Sequence, residues 1–168
     1  MTPPLLVAYA TKHESTHDVA EAIATRLRVD GWTVEVRRAG EVNELDRYAG
    51  VVLGTALYTG RVHRDARGFL RCHHDALAAR PVAVFAMGPR TTAPDDVAAS
   101  RAQLDKALAH APAPDAVAVF GGVVDPSKLH FPFNRMEPCD ARDWPAIDAW
   151  AEQVSAIFAK APAVTPSP

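Results

Sequence analysis

Thr11, Ser15 and Thr16 put three hydroxyls into one short stretch, Thr11-Lys12-His13-Glu14-Ser15-Thr16. Before it runs an apolar segment, Leu5-Leu6-Val7-Ala8-Tyr9. After it, Val19, Ala20, Ile23, Ala24 and Leu27 recur at helical spacing. A turn that feeds a helix offers unpaired N–H groups and the positive end of the helix dipole, so it can hold an anion. The hydroxyls add donors. The stretch has neither GxGxxG nor a GK[ST] ending, which removes the dinucleotide fingerprint and the nucleoside-triphosphate loop. A hydroxyl-rich cradle for a monophosphate remains. A second reading stays open, in which Ser15 or Thr16 simply caps the helix.

The elements around this turn follow from periodicity. Leu5 to Tyr9 suits a strand buried on both faces. The first helix ends at Asp30-Gly31. Trp32, Val34 and Val36 alternate with polar residues as a half-exposed strand. Val51-Val52-Leu53, closed by Gly54, is a third strand, and Ala66, Phe69, Leu70, His73 and Leu77 mark one helix after it. Val82 to Ala86 is a fourth strand. Val97, Arg101, Leu104 and Leu108 share a face of the next helix. Ala116 to Phe120 is a fifth strand, residues 123–143 are a linker, and Ile147, Trp150, Ala151, Val154 and Phe158 line a last helix. Strands alternating with helices form a parallel sheet with right-handed crossovers. The expected fold is α/β, three layers, a doubly wound five-stranded parallel sheet in the order 2-1-3-4-5. Ligands in such sheets sit at the carboxyl ends of the strands, at the switch between the first and third. Three loops therefore matter: 10–16, 54–61 and 87–92.

Composition supports one domain. The chain has 168 residues, 48% hydrophobic and 23% charged, with a net charge of −2. We expect a domain over residues 1–160 and a disordered tail over 161–168. The charge balance carries no nucleic-acid footprint. Apolar runs are too short for an integral membrane span, and the N-terminus has no signal-peptide pattern. With two cysteines, Cys72 and Cys139, outside any CxxC pattern, a cytoplasmic setting is expected. No metal site is expected, although His13 and His17 lie four apart and Cys72-His73-His74 cluster. On a helix Cys72 and His74 point apart, and His73 falls on the apolar face. Arg64, Arg67 and Arg71 share one helix side, either as a solvated face or as a docking face.

Strand, Thr-Lys-His-Glu-Ser-Thr and helix together resemble the FMN phosphate loop of flavodoxins, whose pattern is a hydroxyl residue, two variable positions, Gly, a variable position and Thr. The stretch Gly54-Thr55-Ala56-Leu57-Tyr58-Thr59-Gly60-Arg61 is similar to the loop flanking the flavin ring, and Phe85-Ala86-Met87-Gly88-Pro89 to the loop on its other side. Phe120-Gly121-Gly122, Asp125-Pro126 and Asp140 to Trp144, with Ile147 and Trp150, resemble the flavodoxin-domain subfamily that includes menaquinone-dependent protoporphyrinogen dehydrogenase. Two positions depart from the pattern. Glu14 replaces the loop's Gly, and a carboxylate repels a phosphate unless it faces solvent. The segment 128–136 is shorter than the quinone-linked insertion and is broken by Pro132.

The resemblance implies FMN as cofactor. Thr11, Lys12, His13, Glu14, Ser15 and Thr16 would hold its phosphate. Tyr58 would stack on the ring, Leu57 and Met87 would add apolar contact, and backbone groups of Thr55, Ala56, Thr59, Gly60 and Gly88 would meet its edge, beside Pro89 and Arg90. Arg61 and Arg90 would lie next to the ring. The electron chemistry would be the flavin's, so no catalytic acid, base or nucleophile is assigned. The implied function is an FMN-binding oxidoreductase passing electrons to a small-molecule or quinone-like acceptor. Two alternatives stand beside it: a non-enzymatic electron carrier for a redox partner protein, and a binding module of the same fold that has lost FMN. The sequence leaves the oligomeric state open.

Overall fold

The computed structural model describes residues 2–12, 14–58, 60–88, 93–124, 127, 131, 135 and 138–164. Five parallel strands form its centre: β1 (Leu5–Ala10), β2 (Val34–Arg38), β3 (Gly50–Tyr58), β5 (Val82–Met87) and β6 (Ala116–Phe120). Their spatial order is β2-β1-β3-β5-β6, the doubly wound order expected. A short strand β4 (Arg61–Val62) turns back antiparallel on the end of β3.

Every residue of β1 and β5 is buried, as their unbroken apolar runs require. Helices α1 (Ser15–Val29) and α5 (Trp144–Lys160) cover one face; Val19, Ile23, Leu27, Ile147, Trp150, Val154 and Phe158 pack there on Leu5, Val7 and Phe85. The other face carries α2 (Arg64–Cys72), α3 (His74–Ala78) and α4 (Pro94–Leu108), which seal Leu6, Leu53 and Val84. A 3-10 turn, Ala39–Glu41, follows β2. Trp32 of the β2 approach ties into the far helix, its indole N–H donating to Ser155 Oγ at 3.0 Å.

Several boundaries differ from the sequence reading. β3 does not stop at Gly54 but runs on to Tyr58, because it pairs on both sides: Ala10 opposes Thr55, and Met87 opposes Ala56. Gly54 stays in the strand for a packing reason, since a Cβ there would sit 2.2 Å from the Phe85 ring. The single helix expected over Ala66 to Leu77 is two, broken at His73 (φ −107°, ψ 20°). On α4 the buried stripe is Ser100, Leu104 and Leu108, while Arg101 is exposed and pairs with Asp105 at 2.9 Å. The linker contains a small antiparallel hairpin, β7 (Val123–Val124) with β8 (Cys139–Asp140). Among the described residues, no helix is long and apolar enough to cross a membrane.

Candidate functional site

β1, β3 and β5 are neighbours, so their carboxyl ends bring the three expected loops to one end of the sheet. His13, Thr59, Pro89 and Arg90 lie outside the described residues, as does the side chain of Tyr58 and most of 128–136.

The first loop is the most informative. α1 is capped by neither Ser15 nor Thr16: its N-cap is Glu14, whose side chain makes no capping hydrogen bond. Asp18 N–H donates to Glu14 O at 2.9 Å. The N–H groups of Ser15, Thr16 and His17 precede it, and an α-helix has no internal acceptor for them. Thr16 is fully buried (0% exposed), yet its Oγ1 has no hydrogen-bond partner among the described residues. Buried hydroxyls are nearly always paired, so an orphan in the first turn of a helix is a donor awaiting an acceptor. A phosphate oxygen has that chemistry. Glu14 is exposed and has φ −73°, a conformation open to any residue. The glycine of the flavodoxin pattern is therefore not required by the backbone here, and the carboxylate faces water. Thr11 is half-buried and Lys12 exposed in the same turn.

In the second loop Thr55 is committed to the scaffold. Its hydroxyl donates to Ala56 O at 3.2 Å and accepts from His63 N–H at 3.3 Å, pinning the β3–β4 hairpin. Gly60 makes the hairpin turn at φ +80°, which a side chain would strain. Leu57 is half-buried and approaches Gly88 from below; a Cβ on Gly88 would lie 3.2 Å from Leu57 Cδ1 and 3.0 Å from Ser100. Gly88 N–H is spent on Phe120 O (2.9 Å), and the Met87 side chain is buried in the core. The Gly88 N–H and the Met87 side chain are thus taken up by the scaffold.

Some residues at this end were not anticipated. His63 accepts from Asp65 N–H at 3.1 Å and caps α2. Burial lowers its pKa, and the nearby Lys12 charge adds to that while Asp65 opposes it. Lys12 of the first loop thus lies near enough to the α2 cap for its charge to act on His63. Gly121 and Gly122 let the end of β6 pass close to its neighbours, since a Cβ on Gly122 would be 2.9 Å from Gly88 O. Arg142 reaches from the β7–β8 hairpin to Asp18 in the first turn of α1 (3.3 Å), is held by Asp140 (2.7 Å), and stacks over Trp144 at 4.9 Å. The hydrogen bond from Arg142 lowers the Asp140 pKa. The glycine pair after β6 was visible in the sequence as the strand's end; the reach of Arg142 across 124 residues was not. Among the described residues, no three His, Cys, Asp or Glu side chains converge as a metal would need.

This end of the sheet can seat a dianionic group on α1 beside a hairpin and a glycine-lined loop. A family model described as a flavodoxin domain matches residues 6–136. Flavodoxin 2 from Bacillus cereus is 20% identical, over 94% of this chain and 98% of its own, with a TM-score of 0.59. A short-chain flavodoxin associated with a non-canonical PDU bacterial microcompartment is 14% identical, over 94% and 99%, at 0.64. Rubredoxin oxygen:oxidoreductase from Desulfovibrio gigas is 14% identical over 94% of this chain but only 36% of its own, at 0.58. At these identities the likeness is one of fold. No curated protein sequence matches significantly.

Proposed function

Because the chain belongs to the flavodoxin-domain family, which indicates FMN as cofactor, we propose that it is an FMN-binding electron-transfer protein acting on a small-molecule or quinone-like acceptor. The observation that carries this reading is the buried Thr16 hydroxyl in the first turn of α1, which has no partner among the described residues. With the N–H groups of Ser15, Thr16 and His17 it supplies a preorganised donor set for a terminal phosphate. Thr11 and Ser15 flank that seat, and Lys12 places a cation beside it. The β3–β4 hairpin and the Gly88 turn bound the space where a flat ring would lie, with Leu57 as an apolar wall. When bound, the flavin supplies reversible uptake of one or two electrons, released by a donor oxidised by the same number. The chain's residues bind, orient and shield it. Arg142 holds the Asp18 carboxylate, which limits repulsion between that carboxylate and an anion on the same turn.

Support for the quinone-like acceptor comes from the resemblance of 120–122 and 140–144 to the quinone-linked subfamily. A carrier role is favoured by one different observation, the exposed arginine row on α2. Titration of FMN with the apo protein tests the shared premise: its fluorescence should quench to a stoichiometric end point. The FMN-loaded, chemically reduced protein, mixed anaerobically with a water-soluble naphthoquinone, then separates the roles. Prompt reoxidation with matching loss of quinone supports the enzyme. Reoxidation only on addition of a redox protein supports the carrier. No quenching refutes both.

A further inference from the structure

α2 starts immediately after the β3–β4 hairpin and carries Arg64, Arg67 and Arg71 at spacings of three and four. These share one face, about 10 Å long at 1.5 Å per residue. All three are exposed, and the face lines an open groove of about 950 Å³ that also takes in His74 and, just after α4, His110. Asp65 is the one carboxylate in the lining, in a chain whose net charge is −2. The Asp65 carboxylate lies 3.5 Å from Arg64 and 3.9 Å from the His63 ring at the α2 cap. Arg67 and Arg71 have no carboxylate partner among the described residues.

Elsewhere Arg101 is balanced by Asp105 and the half-buried Arg26 by Asp30 and Asp148. Two neighbouring arginines, Arg67 and Arg71, that have no carboxylate partner among the described residues give a net acidic chain a local positive field, which favours an acidic surface and speeds its encounter. The row begins next to the hairpin bounding the flavin space, with His63 as the helix cap at its head. We propose that the α2 face is the docking surface for an acidic redox partner protein, whose carboxylates pair with Arg67 and Arg71 and whose redox centre is brought toward the flavin end of the sheet. The redox character of the partner rests on the flavin reading above; the preference for an acidic protein does not. No bond forms in the exchange: the docked protein gains or loses the electrons that the flavin loses or gains.

Fluorescence anisotropy of a labelled polyglutamate peptide tests the surface, with the apo protein and with the FMN-loaded protein. Binding should weaken as salt rises. R67E/R71E should bind at least about tenfold more weakly, since two attractive contacts become repulsive. R67Q/R71Q should fall between, and decides the matter if the charge reversal melts abnormally. R37E/R101E, which changes net charge equally on other elements, should bind nearly as wild type. Equal binding by wild type and both α2 variants, or no binding at low salt, overturns the proposal. So does a single-stranded DNA of matched charge that binds more tightly than the peptide, which would make the face a nucleic-acid site. The FMN titration is read separately, so loss of the flavin reading and loss of the docking surface are distinct results.

Discussion

Replacing Thr16 with valine removes one buried hydroxyl and keeps the shape of the side chain. In the apo protein that hydroxyl is desolvated and unpaired, a situation that costs about 1–3 kcal/mol. T16V should therefore stabilise the apo protein by about 1 kcal/mol, a rise of roughly 2–4 °C in Tm for a domain of this size. In the complex the same hydroxyl donates to a charged phosphate oxygen. Such a bond is worth about 1.5–3 kcal/mol, so FMN affinity should fall roughly 10- to 150-fold. The two effects have opposite signs, which a general packing defect does not produce. Differential scanning fluorimetry of the apo protein reads the first, and quenching of FMN fluorescence reads the second. T16S, which retains the hydroxyl, should keep most of the affinity. A lower Tm with unchanged affinity in T16V would refute the assignment of this turn as the phosphate seat.

Glu14 is exposed and needs no glycine conformation, so E14Q should change the FMN dissociation constant by less than about threefold, because a charge in solvent is screened; a tenfold tightening by titration would show that the carboxylate faces the phosphate. G54A drives a Cβ to 2.2 Å from the Phe85 ring and should cost about 2 kcal/mol or more in urea unfolding, with partial recovery in G54A/F85L. His63 has a lowered pKa because of burial, so protonation favours the unfolded chain. Stability should be full above about pH 6.5, the unfolded value, and should decline as pH falls from there toward the folded value. The urea midpoint should therefore drop more between pH 7.5 and 5.5 for wild type than for H63N, whose amide oxygen can still accept from Asp65 N–H.

The order of the parallel sheet was legible because each strand carries an apolar run and each helix a 3.6-residue period, and both signals are local. The switch-point turn was legible for the same reason, since it lies between the first strand and the first helix. What the local pattern could not carry was commitment of donors. Gly88 looks like a ring-edge group in the chain, yet its N–H is spent on Phe120 O at the end of β6. Met87 looks like a loop residue but closes β5. β3 outruns Gly54 because neighbouring strands on both sides hold it, a tertiary effect that overrides the usual glycine stop. The long-range tie from Arg142 to Asp18 has no sequence signal at all.

The pairing of α5 with α1 also shapes how the protein is made. Residues 144–160 pack beside residues 15–29 on one face of the sheet and lay Phe158 against Gly50. On the ribosome the part of that face which α5 covers stays bare until α5 is made, more than a hundred residues after α1. At about 5–20 residues per second this leaves several seconds of adhesive surface. Chaperone dependence and loss to inclusion bodies should thus track the translation speed of the stretch between the two helices more than the thermodynamic stability of the finished fold.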